Sequence, residues 1–183
     1  VSAGFEHTCA LDDNGVQCWG GYQYGQAYPP VLSNPVQVSA AFQHTCALDD
    51  NGVQCWGREN SLYIKVPNLS NPVQVSAGGQ HTCALDDNGV QCWGFDLNGQ
   101  IRVPALSNAV QVSAGENHTC GLDDNGVQCW GYNGTGQHDV PALSNPVQLS
   151  AGSYSNCAID DNGVQCWGRN DDGQTDVPAL SNP

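Results

Sequence analysis

The residues best suited to chemistry in this chain come as a package. His81, Cys83, Asp86, Asp87, Cys92 and Trp93 all lie in His81-Thr-Cys-Ala-Leu-Asp-Asp-Asn-Gly-Val-Gln-Cys-Trp-Gly94. Two thiolates and an imidazole form a soft ligand set that zinc accepts. Two thiols at a fixed separation also suit a disulfide. Paired carboxylates could divide acid and base roles. Asp-Asp-Asn-Gly resembles part of a calcium loop. The indole offers a broad flat face for stacking or packing.

Comparison of the copies chooses among these. Near-copies begin at His7, His44 and His118, and the altered fifth is read with Asn156 in place of the histidine. That copy keeps both cysteines, which a bridge explains and a histidine-containing metal site does not. Bridges are expected to join Cys9 with Cys18, Cys46 with Cys55, Cys83 with Cys92, Cys120 with Cys129 and Cys157 with Cys166, with no metal and no cofactor. Ten cysteines, two per repeat, indicate an oxidising, extracellular compartment. The calcium reading lacks the remaining oxygen ligands and the closing glutamate. Five like surface turns are not a cleft that could split two carboxylate pKa values. The chain has no nucleophile elbow, phosphate loop or His-Glu-x-x-His motif. No catalytic residue is assigned, and the chain is read as a non-enzyme. The tryptophan column (Trp19, Trp56, Trp93, Trp130, Trp167) is expected to pack between repeats, and the histidine column to make structural hydrogen bonds.

The package recurs with a 37-residue period, giving repeats 1–37, 38–74, 75–111, 112–148 and 149–183 of one repeat domain. Each repeat opens on an alternating stretch ending in small residues, as in Pro72-Val-Gln-Val-Ser-Ala-Gly78, which reads as a strand and a tight bend. His-Thr-Cys-Ala-Leu is a second strand, Asp-Asp-Asn-Gly a four-residue turn and Val-Gln-Cys-Trp-Gly a third strand. This register sets Leu85 against Val90, Ala84 against Gln91 and Cys83 against Cys92. Val-Pro-x-Leu further on reads as a fourth, edge strand, where proline is tolerated. Short strands without helical periodicity predict an all-β radial array, with each bridge contributing roughly 2.5–3 kcal/mol.

The pattern Val-Ser-Ala-Gly-x-x-His-Thr-x-Ala-Leu-x-x-x-Gly-Val-x-x-Trp-Gly-x-Asn-x-x-Gly-Gln-x-x-Val-Pro resembles the repeat of the regulator of chromosome condensation family. Cys166-Trp-Gly-Arg-Asn-Asp-Asp-Gly-Gln-Thr-Asp-Val-Pro178 carries it well. The chain looks closest to the bacterial secreted branch that includes a β-lactamase inhibitor protein. The resemblance covers all five repeats and implies a propeller of four-stranded blades. Two features depart from it: five repeats where family propellers usually have seven, and a cysteine pair the family does not require. The expected fold is therefore a five-bladed β-propeller, or an open superhelical array of the same blades.

Charge narrows the partners. With 18 acidic and 4 basic residues, the net charge of −14 repels nucleic acid and anionic membranes. This also opposes the family's exchange function on chromatin. No apolar run approaches a membrane span. The absence of methionine, even at position 1, is read as the mark of a processed or excised chain.

The repeats differ mainly in two windows. One is the pair before the histidine column (Phe5-Glu6, Phe42-Gln43, Gly79-Gln80, Glu116-Asn117, Ser153-Tyr154); the other follows Trp-Gly. All four basic residues lie in the second window, and every Tyr and Phe lies in one or the other. These types dominate interface hot spots. The binding residues expected from the second window are Tyr22, Tyr24, Tyr28, Arg58, Tyr63, Lys65, Phe95, Arg102, Tyr132 and Arg169. The strip around Tyr63 reads as a contact site if exposed and as packing if buried. The sequons at Asn68, Asn117 and Asn133 are candidate glycosylation sites. The expected role is a secreted binding or adhesive scaffold for a protein or glycan. The alternatives are a subunit of an extracellular fibre, a homopolymer of the chain, and an inhibitor of a secreted hydrolase.

Overall fold

The computed structural model describes residues 1–181. It contains five three-stranded antiparallel sheets, one per repeat, and a single 3₁₀ turn at Leu62–Ile64. In the third repeat the strands are Gln74–Ala77, His81–Asp86 and Gly89–Gly94, called inner, middle and outer. The first inner strand is cut to Ser2–Ala3. In the fifth repeat the corresponding strands are Gln148–Ala151, Ser155–Asp160 and Gly163–Gly168. The fold is an all-β propeller of five blades.

The middle and outer strands pair in the expected register, with Cys83 opposite Cys92 and Leu85 opposite Val90. The turn is tighter than expected. Asp86 still pairs with Gly89, leaving only Asp87 and Asn88 between the strands. Gly89 takes the positive φ, 94°, that closes so short a loop.

All five expected bridges are present, each within its own hairpin. Cys9 is joined to Cys18, Cys46 to Cys55, Cys83 to Cys92, Cys120 to Cys129 and Cys157 to Cys166, with Cα atoms 4.0–4.1 Å apart. The two ends of a bridge differ in environment, which the sequence pattern does not reveal. The middle-strand residues Cys9, Cys46, Cys83 and Cys120 are fully buried. Their outer-strand partners Cys18, Cys55, Cys92 and Cys129 are half-buried and pack at the margins of the apolar clusters. In the fifth blade Cys157 and Cys166 are both half-buried.

The paired aspartates hold the turn. Asp86 accepts the Asn88 N–H on one oxygen and the Ser70 N–H on the other, both at 2.8 Å. Asp87 accepts the Asn71 side-chain amide at 2.6 Å and the Ser70 hydroxyl at 3.1 Å. The hairpin tips of blades two to five are thus tied to the loop entering their own blade. In the fifth blade these bonds, led by that from the Ser144 N–H, hold the Asp160 carboxyl below its usual range.

Two expectations are corrected. Val-Pro-x-Leu forms no fourth strand. Its apolar side chains, such as Val66 and Leu69, fill the seam between blades two and three beside Val75, Ala84 and Trp93. Asn156 does not stand in the histidine column. Ser155 lies opposite Gly168 as His118 lies opposite Gly131, so Ser155 replaces the histidine and Asn156 replaces the threonine after it.

Neighbouring blades join through side chains that repeat with the period. Gln37 makes two hydrogen bonds to the Val75 backbone, accepting its N–H at 2.9 Å and donating to its carbonyl at 3.1 Å. The Ala77 N–H donates to Ser39 Oγ at 3.0 Å. The tryptophans lie in the seams, 6–8% exposed at Trp56, Trp93, Trp130 and Trp167. Trp19, in the first blade, is 54% exposed.

Candidate binding face

Hairpin geometry sorts each repeat into two ends. Because middle and outer strands are antiparallel, the start of one and the end of the other share an edge, and the acidic turn lies at the opposite edge. The two variable windows therefore meet. Backbone hydrogen bonds join them in every blade: Gly21 N–H to Glu6 O, Arg58 to Gln43, Phe95 to Gln80, Tyr132 to Asn117 and Arg169 to Tyr154, at 2.6–3.0 Å. What the sequence presents as two windows is one rim in the structure.

That rim is aromatic, and it carries all four basic residues beside eight carboxylates. Phe5 and Phe42 pack at 4.8 Å, Tyr22 and Tyr28 at 6.2 Å, and Tyr132 and Tyr154 at 6.3 Å between ring centroids. The Arg58 guanidinium lies 5.6 Å over the Tyr24 ring and donates to Gln43 Oε1 at 2.9 Å. Arg169 lies 5.9 Å over Tyr154 and pairs with Asp171 at 2.7 Å. Arg102 pairs with Asp96 at 2.7 Å. Both ion pairs are exposed and contribute little to stability. Neighbouring aromatic rings and guanidinium groups hold one another and limit the side-chain ordering that a partner's arrival would require.

The expected contact residues are placed as follows. Tyr22, Tyr24, Tyr28, Arg58, Lys65, Phe95 and Arg102 are exposed, and Tyr132 and Arg169 half-buried. Tyr63 is 2% exposed and presents no surface to a partner. Its ring packs 4.5 Å from His44, and its carbonyl accepts the Thr82 hydroxyl and the Trp93 indole N–H, both at 2.9 Å. In the other interior blades that position is a buried glutamine: Gln26, Gln100 and Gln137. The Gly-Gln pair of the other four repeats was the available signal for this position. Asn68 and Asn133 are exposed and Asn117 half-buried.

Beneath the rim runs a buried histidine–threonine relay. His44 Nε2 lies 2.9 Å from Thr82 Oγ1, His81 Nε2 2.8 Å from Thr119 Oγ1 and His7 Nε2 2.7 Å from Thr45 Oγ1. Each threonine hydroxyl donates to a loop carbonyl, of Tyr63, Gln100 and Gln26 respectively. The hydroxyl proton is therefore committed, so the histidine donates from Nε2 and its Nδ1 is left bare. Asn156 repeats the scheme, accepting from His118 at 2.7 Å and donating to Gln137 O at 3.0 Å. Burial, and after it the charges of neighbouring histidines, lowers the pKa of His44 to about 3 and of His81 to about 4. Among the described residues no group of three or more His, Cys, Asp or Glu is placed to hold a metal. No helix among them is long and apolar enough to cross a membrane.

Comparison with known proteins agrees with this architecture. The family model for the regulator of chromosome condensation (RCC1) repeat matches residues 1–26, 36–62, 73–100, 109–137 and 147–174. The chain is similar to the ectodomain of the Physcomitrella patens receptor kinase CR4, at 26% identity and a TM-score of 0.81, covering 98% of this chain and 55% of that one. It is also similar to the CRINKLY WD40 ectodomain of the Arabidopsis thaliana receptor kinase ACR4, at 28% identity and a TM-score of 0.72, covering 91% of this chain and 63% of that one. Prp20p from Saccharomyces cerevisiae, whose structure was described with its binding to Gsp1p and histones, shares the fold at 23% identity and a TM-score of 0.81, over 97% of this chain and 58% of its own. The chain thus spans little more than half the length of the structures it resembles. No curated protein sequence matches it significantly.

Proposed function

The chain belongs to the regulator of chromosome condensation (RCC1) repeat family, and from that premise we propose that it is an extracellular protein-binding scaffold whose partner lies on the rim. The observation that carries this reading is the joining of both variable windows, with every tyrosine but Tyr63, every phenylalanine and all four basic residues, into one edge of a constant frame. Tyrosine, phenylalanine and arginine offer large contact area at low ordering cost. Five bridges suit an oxidising compartment, and the similarity to two receptor ectodomains supports the same placement. Inhibition of a secreted hydrolase would be one case of this reading, with an enzyme as the partner. A glycan on Asn133 or Asn117 would sit on the rim and mask part of it, whereas one on Asn68 would not.

Affinity capture from extracellular fluid of the source tests the reading. The unaltered chain is expected to retain a partner that a Tyr22→Ser/Tyr24→Ser/Arg58→Ser variant loses. Equal capture by both would remove the rim from the account.

A further inference from the structure

The five bends between inner and middle strands converge on a cavity of about 620 Å³ at the centre of the blade array. Small residues line the bends, at Gly4, Ala41, Gly78, Gly115 and Gly152. A Cβ on Gly78 would run into the Gly115 carbonyl and the His81 ring, and one on Gly115 into the Gly152 carbonyl and the His118 ring. Only the residues just after these small positions can furnish the cavity: Phe5, Phe42, Gly79, Glu116 and Ser153, with Tyr154 beside them.

Those residues give the cavity two unlike sides. Phe5 and Phe42, from blades one and two, form a contiguous aromatic wall. Blades four and five supply the Glu116 carboxylate and the Tyr154 ring. Gly79 lies between, and the Glu116 side chain leans over it, so that a Cβ there would sit 3.0 Å from Glu116 Cγ. No Lys, Arg or His lines the cavity. The nearby Arg169 guanidinium lies 5.9 Å over the Tyr154 ring and is paired with Asp171, so the free aromatic faces are those of Phe5 and Phe42. The lining itself therefore offers one carboxylate, the Phe5 and Phe42 faces and no cation of its own, in a chain of net charge −14.

We propose that this cavity binds an alkylammonium group, of the kind a lysine side chain carries, with its methylenes against Phe5 and Phe42 and its charge at Glu116. Ammonium groups are attracted to aromatic faces and to carboxylates. The neutral amide of an acetylated lysine has neither attraction. The proposal rests on the rim being the binding face, because the cavity opens at its centre and would anchor a basic side chain of the same partner.

The test is a titration of the whole chain with N-acetyl-lysine methylamide and with its Nε-acetylated counterpart, followed by amide shifts in ¹H–¹⁵N spectra. The lysine compound is expected to give saturable shifts at Gly78, Gly79, Gly115 and Glu116, and the acetylated one none. Glu116→Gln, and separately Phe5→Ala/Phe42→Ala, should each weaken binding by about tenfold or more. Asp87→Asn, at the opposite edge, should leave it unchanged. Dispersed spectra report that each variant is folded. Unsaturable shifts, or equal binding to Glu116→Gln, would overturn the proposal by assigning the effect to the diffuse acidic field. The Tyr22→Ser/Tyr24→Ser/Arg58→Ser variant leaves the cavity lining unchanged. Loss of capture in that variant, with no lysine binding to the unaltered chain, removes the cavity alone and leaves the rim standing.

Discussion

His44 reaches across a blade seam to Thr82, its Nε2 2.9 Å from the hydroxyl oxygen, and the Thr82 hydroxyl donates its own hydrogen bond to the Tyr63 carbonyl. One buried threonine thereby fixes the tautomer of the histidine in the blade before it and satisfies a loop carbonyl that also receives the Trp93 indole. Thr82→Val keeps the shape and removes both bonds. Leaving a buried donor unpaired costs about 1–3 kcal/mol. Urea unfolding should show a loss in that range. The reverse change at the fifth blade, Asn156→Thr, restores the chemistry used elsewhere and should stay within about 1 kcal/mol of the unaltered chain.

The same histidines set a pH dependence. In the unfolded chain they titrate near the ordinary value of 6.5, and in the folded chain burial lowers His44 to about 3 and His81 to about 4. Below 6.5 the unfolded state binds more protons, so stability is complete above that pH and falls as pH drops towards the folded values. Each group contributes a slope of about 1.4 kcal/mol per pH unit. Urea midpoints measured from pH 7 to pH 4.5, above the range in which Asp160 titrates, should fall steadily. His81→Gln should flatten that slope, and an unchanged slope would separate the pH response from the relay.

The bridges predict a covalent signature. All ten cysteines are paired, so a denatured, unreduced sample should show no free thiol and a reduced one ten. Losing one bridge by Cys83→Ala/Cys92→Ala should cost roughly 2.5–3 kcal/mol in the chain-entropy account.

Tryptophan exposure is uneven, and fluorescence can read it. Of five indoles only Trp19 is open to solvent. A minority of the emission should be quenched readily by acrylamide in the unaltered chain, and that fraction should vanish in Trp19→Phe.

Local pairing made much of this fold legible in the sequence. The period-2 alternation, the Asp-Asp-Asn-Gly turn and the opposed cysteines fix the hairpin register among neighbours on the chain, and the structure has that register. What stayed hidden depends on residues 38 positions apart. The threonine in His-Thr-Cys looks inert until a preceding blade brings a histidine onto it. The glutamine of Gly-Gln looks like a surface residue until the next blade covers it, which is why Tyr63 in that column was open to a contact reading. The two cysteines of a hairpin look alike, yet the seam buries Cys46 and leaves Cys55 at its margin. Val-Pro-x-Leu has the composition of an edge strand, but the seam takes up its side chains instead. The variable windows were legible as variable. Their union into one rim needed the strands to run antiparallel.

The most direct test is hydrogen exchange on the chain alone and bound to its captured partner. If the rim is the binding face, exchange should slow at residues 21–28, 58–65, 79–80, 95–102 and 116–117, and stay unchanged at the acidic turns around Asp50, Asp87 and Asp124. Slowing confined to those turns, with the rim unchanged, would contradict it.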